Sequence, residues 1–262
     1  MDSGASLVPT LGDLTGDGLP DLVSVPFGGA TIEVHESRDR WAWADPVTTL
    51  ELDARFPTRG ARAIDRDGDG NAECLVYWGG FPIAKAVEIG TVSIDNGLFN
   101  RGPSVTIGAS IADGYRPATI EVGDVTGDGI DDIVVSTGEL VVVPGDPGGG
   151  VGTPVRSASP LVAGIELLDL DGDGLLDIVA GDPSGDDLHI IVWQGSGLML
   201  RATHSIGWPF LTQVTSIEPA AGIPGADPGT LLVGRHIQGF GSATGPAALI
   251  TLDNSGIPTI IA

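Results

Sequence analysis

The chain has 262 residues, with 35 acidic against 12 basic side chains and a formal net charge of −23. That balance disfavours nucleic-acid phosphate and anionic membrane surfaces and makes cations the expected partners. Glycine (41 residues) and proline (19) are abundant, yet 42% of the chain is apolar, which excludes a disordered low-complexity polymer and makes the glycines punctuation in a folded chain. No apolar run approaches the roughly 20 residues that span a bilayer, so no membrane insertion is expected. The start, Met1-Asp2-Ser3-Gly4, lacks the basic and apolar regions of a signal peptide, and a chain beginning after a removed signal would read the same. The single cysteine, Cys74, has no intrachain partner and is expected to be a small buried hydrophobe beside Leu75 and Val76.

In chain order, the sequence repeats one unit: apolar strand, acidic tight loop, apolar strand, glycine-rich turn, third strand and a looser fourth strand. The first loop holds Asp13, Thr15, Asp17, Gly18 and Asp21; Leu22, Val23 and Val25 follow, then Phe27-Gly28-Gly29, Thr31 to Val34 and a strand near 47–52. The second holds Asp65, Asp67, Asp69, Gly70 and Glu73, with later strands at Ala86 to Ile89 and 104–108. The third holds Asp124, Thr126, Asp128, Gly129 and Asp132, with strands at Leu140 to Val143 and 154–157. The fourth holds Asp169, Asp171, Asp173, Gly174 and Asp177, followed by Ile178 to Ala180, His189 to Val192 and 199–206. From about Val214 the strands recur at Thr215 to Ile217, Thr230 to Val233, Ala248 to Thr251 and Thr259 to Ile261. In that fifth unit the segment from Glu218 to Asp227 is longer and almost free of ligands.

No window shows the 3.6-residue period of a sizeable helix, so the chain reads as all-β. The loops begin at 13, 65, 124 and 169, so successive starts lie 52, 59 and 45 residues apart, the length of a four-stranded propeller blade with its connections. The predicted fold is a single β-propeller domain over 1–262, built of five four-stranded blades at about 5–53, 58–109, 116–158, 162–207 and 212–262. An arc of a larger, seven-bladed propeller would have the same text.

Counted from its first aspartate, each loop carries oxygen side chains at positions 1, 3 and 5, glycine at 6 and a carboxylate at 9. Calcium takes six to eight oxygen ligands. Alternate side chains of a tight loop converge on such an ion, and the glycine permits the reversal that brings later residues round. Position 7 (Leu19, Asn71, Ile130 or Leu175) would add a backbone carbonyl. Zinc is disfavoured because no histidine or thiol stands in a loop. An EF-hand is excluded because position 12 is Ser24, Val76, Val135 or Ala180 where that loop needs glutamate between helices. A lone acidic turn arises for local reasons; four copies in one register point to up to four structural Ca²⁺ ions. Their fourteen carboxylates repel one another without metal, and four ions would bring the charge to about −15.

The motif D-x-[DT]-G-D-G-x-x-[DE], followed by an apolar strand and a glycine-rich turn, resembles the FG-GAP or VCBS repeat. The resemblance covers about residues 5–206 with the metal motif and the remainder by strand pattern. It implies a propeller like that of integrin alpha subunits, with calcium between the first and second strands of a blade. It also implies roles in adhesion or in ligand and glycan recognition. Seven blades are common in that family, and this chain offers five with a metal-free last one.

Catalytic signatures are absent: there is no GxSxG, HExxH or P-loop, and His35, His189, His204 and His236 are scattered. Gly239 to Gly245 has the wrong spacing for a phosphate loop and is followed by a strand. The clustered carboxylates fit a calcium cage better than a glycosidase pair. Phe27, Trp78 and Phe81 fall in turns on the face opposite the loops, and Trp41, Trp43, Trp193 and Trp208 are further aromatics, all better read as packing between blades than as a ligand site.

The expected function is therefore a noncatalytic, extracellular, cell-surface or periplasmic recognition module. It would bind a protein or glycan on the face opposite the calcium loops, because weak oxygen cages fill only where calcium is abundant. The alternatives are a calcium-dependent carbohydrate-active enzyme of the polysaccharide lyase kind and an architectural spacer. The lyase needs convergent basic residues, for which Lys85, Arg55, Arg59, Arg62 and Arg116 are the candidates. No oligomeric state is assigned.

Overall fold

The computed structural model describes residues 7–26, 31–39, 42–43, 48–51, 58–79, 86–95, 98–108, 119–136, 139–148, 150, 152–157, 162–182, 185–207, 212–219, 230–237, 248–252 and 257–260. The chain divides into two compact units, 1–117 with 144–153 and 118–143 with 154–262. Among the described residues there is no helix, and every strand pairing is antiparallel between near neighbours in sequence.

In the first unit, β1 (Leu7–Gly12), β2 (Asp21–Pro26), β3 (Thr31–His35) and β6 (Thr48–Glu51) form one four-stranded sheet, and β4 (Ser37–Asp39) pairs with β5 (Ala42–Trp43) as a short ribbon. The second sheet is β7 (Thr58–Ile64), β8 (Glu73–Gly79), β9 (Ala86–Asp95) and β10 (Leu98–Gly108). The ribbon lies where the sequence suggested only a connection. Ser37 anchors it, donating its Oγ–H to the Pro20 carbonyl at 2.7 Å.

The second unit holds three more four-stranded sheets in simple order: β11 (Thr119–Gly123), β12 (Asp132–Ser136), β13 (Leu140–Val143) and β14 (Val155–Arg156); β15 (Ala163–Leu168), β16 (Asp177–Gly181), β17 (Asp187–Gln194) and β18 (Gly197–Ser205); β19 (Thr212–Pro219), β20 (Thr230–Ile237), β21 (Ala248–Leu252) and β22 (Pro258–Ile260). The strands predicted from hydrophobic runs are all present, most of them longer than predicted. Of the long segment from Glu218, only its first two residues, the end of β19, lie among the described residues.

Successive side chains of a strand point to opposite faces, and β16 shows what that means here. Its five residues are all buried. Ile178 and Ala180 join a cluster with Val134, Leu140, Val142 and Ile165, whereas Val179 joins another with Leu188, Ile190, Leu231 and Ile250. The β15–β18 sheet is thus covered on both faces by apolar side chains from its two neighbours. The unbroken runs Ile178-Val179-Ala180 and Leu140 to Val143 are the sequence mark of that double burial.

Cys74 is fully buried in β8, and burial pushes its thiol up to about 12. Its expected reactivity follows: a thiol reagent at neutral pH leaves Cys74 unmodified in the native protein and labels it completely in denaturant. Labelling of native protein at the rate of a free thiol would contradict this burial. His189 is also structural. It lies buried in β17 with Nδ1 3.0 Å from Thr203 Oγ1, and burial lowers its pKa.

Candidate metal centres

All four acidic loops lie among the described residues, and each joins the first and second strands of its sheet. They share one hydrogen-bond pattern. The position 1 aspartate turns back on its own loop: Asp13 accepts the N–H groups of Gly16 and Gly18 at 2.7 Å each. Asp65, Asp124 and Asp169 do the same for Gly68 and Gly70, Gly127 and Gly129, and Gly172 and Gly174. The position 5 aspartate accepts the N–H of position 7, Asp17 from Leu19 at 2.8 Å and Asp128 from Ile130 at 3.0 Å. Asp69 with Asn71 and Asp173 with Leu175 repeat it. Glycines at positions 4 and 6 of every loop have positive φ, between 74° and 90°, so the reversal uses two left-handed residues.

Position 2 plugs each loop into the protein. Leu14, Val125 and Leu170 are buried there, and Val125 and Leu170 belong to the two apolar clusters of the second unit. The second loop departs from the pattern with Arg66, also buried. Burial lowers its pKa, while Glu73, Asp67 and Asp146 oppose that effect through their charge.

The position 9 carboxylate was expected to close a cage, and the structure shows it bracing the loop's own backbone. Asp21 and Asp132 are fully buried and each pins the backbone of positions 2 and 3 with one oxygen. Asp21 Oδ2 accepts Leu14 N–H and Thr15 N–H at 3.0 and 3.1 Å. Asp132 Oδ2 accepts Val125 N–H and Thr126 N–H at 2.9 Å each. Asp21 Oδ1 takes the N–H of Ser37 at 2.9 Å. Glu73 and Asp177 accept from Arg66 N–H and Leu170 N–H, and burial nevertheless pushes both carboxyls above their ordinary range.

The structure brings positions 1, 3 and 5 together in two loops: Asp65, Asp67 and Asp69 offer oxygens within 4.8 Å of one another, and so do Asp169, Asp171 and Asp173. In the other two loops threonine, Thr15 or Thr126, stands at position 3. The donor set is all oxygen and mostly anionic, which fits a hard divalent cation such as calcium. A cation of the protein already stands at the fourth loop. Arg201 Nη1 from β18 lies 2.7 Å from Asp171 Oδ2 and 3.8 Å from Asp177 Oδ1. Its hydrogen bond holds the Asp171 carboxyl below the usual range. Arg201 is 30 residues from Asp171 in sequence, and no local pattern could announce the pairing.

Loops of adjacent sheets also touch within each unit. Ala72 N–H donates to the Asp13 carbonyl at 2.8 Å. A Cβ placed on Gly16 would lie 2.6 Å from Asn71 Oδ1, and one on Gly127 would lie 2.7 Å from Leu175 Cδ2. Position 7 of one loop therefore sits over position 4 of the preceding one. Gly127 (φ +79°) and Gly129 (φ +87°) test this, because a Cβ on Gly129 meets nothing within 4 Å. Gly129→Ala should cost about 1–2 kcal/mol for the left-handed backbone alone. Gly127→Ala should cost more because Leu175 must shift as well. Urea unfolding of the two variants compares them, and an equal or smaller loss for Gly127→Ala would contradict the stacking.

Of the aromatics considered as ligand contacts, only Trp193 has a described side chain, and it packs against the cluster around Val134 and Ile178. Of the arginines proposed for a cleft, Arg55 and Arg116 lie outside the described residues, as does Lys85, and Arg59 is described in its backbone alone. Arg62 donates to the neighbouring Ala61 carbonyl.

No protein-family model matches the chain, and no curated protein matches it by sequence. Solved structures do match by fold. A protein of unknown function from Bacteroides caccae aligns with TM-score 0.54 and 14% identity over 99% of this chain and 82% of that one. The Pseudomonas aeruginosa PilY1 C-terminal domain gives 0.51 and 11% over 96% and 70%. A Bacillus licheniformis rhamnogalacturonan lyase gives 0.50 and 14% over 98% of this chain and 60% of the lyase. These likenesses define the class: the protein has an all-β, β-propeller-like fold.

Proposed function

We propose that the chain is a five-bladed propeller of the FG-GAP or VCBS kind whose four acidic loops each bind a structural Ca²⁺. In this reading it is a noncatalytic recognition module that works outside the cytosol. The observation that carries the reading is the common architecture of the loops: two left-handed glycines and a buried position 2 anchor in all four, with three carboxylates gathered within reach of one another in the second and fourth. Asp13, Asp65, Asp124 and Asp169, with positions 3, 5 and 9 of each loop, would hold the ions. Bound calcium would supply positive charge that relieves carboxylate repulsion and stiffens each turn. The five four-stranded sheets, one per sequence repeat, support the blade count. A protein or glycan ligand is assigned to the loop face opposite the metal.

Calorimetric calcium titration of the chelated protein tests the metal reading. The expected result is binding at up to four sites, with one site lost in each of Asp13→Asn, Asp65→Asn, Asp124→Asn and Asp169→Asn. No heat of binding and no protection by calcium would overturn it. A glycan array and a rhamnogalacturonan cleavage assay, run with calcium, test recognition against catalysis: turnover would sink the noncatalytic assignment.

A further inference from the structure

We propose that Arg201 is a built-in competitor for the fourth loop, a guanidinium that neutralises the loop when calcium is absent and that calcium must displace, so that the fourth site binds more weakly than its carboxylates alone would allow. The inference rests on the calcium reading above and concerns the regulation of one of its sites.

Two independent features of β18 place Arg201 there. The first is the contact itself, Nη1 between Asp171 Oδ2 at position 3 and Asp177 Oδ1 at position 9. The second is the backbone. In the β17–β18 pairing Leu200 faces Ile191 and Ala202 faces Ile190, so Arg201 is the extra, unpaired residue of a β-bulge. A bulge re-aims the side chain it carries and breaks the strict in-and-out alternation of the strand. Here the re-aimed side chain is a cation and its target is an acidic turn of the same sheet.

The charges of the four loops agree with this role. At positions 1, 3, 5 and 9 the first and third carry three carboxylates and a threonine, and the second and fourth carry four carboxylates. An arginine accompanies each four-carboxylate loop: Arg66 within the second, close enough to Glu73 and Asp67 to act on them by charge, and Arg201 beside the fourth. At positions 1, 3, 5 and 9, with the arginine counted, each set therefore sums to −3, and Asp131 at position 8 adds one further negative charge to the third loop. Arg66 is buried beneath its loop, whereas the Arg201 side chain is about one-third exposed. Only the second arrangement can yield its place to an incoming ion. An exposed pair in water is worth little, so a divalent cation that meets three or four oxygens at once outcompetes it.

The test compares Arg201→Gln with the natural protein by calcium titration and by thermal melting in EDTA and in calcium. The expected result is a destabilisation seen only without calcium. In EDTA the variant melts lower, because the fourth loop has lost its counter-charge. In calcium it melts no lower, and the fourth site gains about three- to tenfold in affinity. Arg201→Lys, which keeps the charge, should remain near the natural protein. In an Asp169→Asn background, where the fourth site is removed, Arg201→Gln should no longer alter the calcium isotherm. Four sites of unchanged affinity in Arg201→Gln would overturn this inference while leaving the calcium reading intact. Absence of calcium binding in both proteins would instead overturn the reading beneath it.

Discussion

Chelating calcium with EDTA lowers the melting temperature by at least about 10 °C. The expectation comes from linkage. An ion that binds only the native chain at about 100 times its dissociation constant contributes about 2.7 kcal/mol per site. At roughly 2–4 °C per kcal/mol for a domain of this size, two filled sites suffice. The unfolded chain cannot bring positions 1, 3 and 5 of a loop within reach of one ion, so the whole binding energy falls on the native side. The scan is run twice, with excess calcium and with EDTA, at equal ionic strength, because screening alone also eases repulsion among exposed carboxylates. Superimposable melting curves would remove the metal from the account of this fold, and magnesium giving the same protection as calcium would argue for screening rather than a cage.

Asp132→Ala unfolds more easily even with no calcium present, by about 2–6 kcal/mol. Asp132 is fully buried, and one of its oxygens accepts both Val125 N–H and Thr126 N–H at 2.9 Å. Truncation leaves two backbone donors with no acceptor, at about 1–3 kcal/mol each. Asp132→Asn keeps an oxygen in the same place and should recover more than half of that loss in EDTA. It should fail to recover calcium binding at the third loop. Chemical denaturation in EDTA, followed by calcium titration of the Asn variant, separates the two tasks of the residue. Equal losses for Ala and Asn in EDTA would mean that charge, and not the acceptor oxygen, is what the loop requires.

Much of the fold was legible in the sequence because its signals are local. Period-2 and doubly apolar runs mark strands whatever surrounds them, and glycine with aspartate marks a turn by its own backbone preferences. That is why the strands of all five repeats stand where the runs stood, and why the ligand-type residues of each loop proved to share one turn. The ribbon of Ser37–Asp39 with Ala42–Trp43 was missed because its strands are only three and two residues long, too short for a periodic pattern, and Ser37 is held by bonds to Pro20 and Asp21 that no local pattern states.

The position 9 carboxylate was found in the sequence, and its bracing role was not. From spacing it is a ligand; from coordinates it is first a buried acceptor for the loop's own N–H groups. Burial depends on what covers a residue, and nothing in D-x-x-G-D-G-x-x-D states that. Arg201 was missed altogether, since a bulge displaces it by one step from the alternation that a strand sequence would assign.

By itself, then, the sequence determines an all-β chain punctuated by four equivalent acidic turns, because strand period and turn chemistry are properties of a few adjacent residues. Only the tertiary structure decides which carboxylates are buried braces and which face outward, that Asn71 and Leu175 lie over the preceding loops, and that an arginine from an edge strand answers the fourth loop's charge. Those facts depend on distances between residues far apart in the chain, and such distances exist only once the sheets have packed.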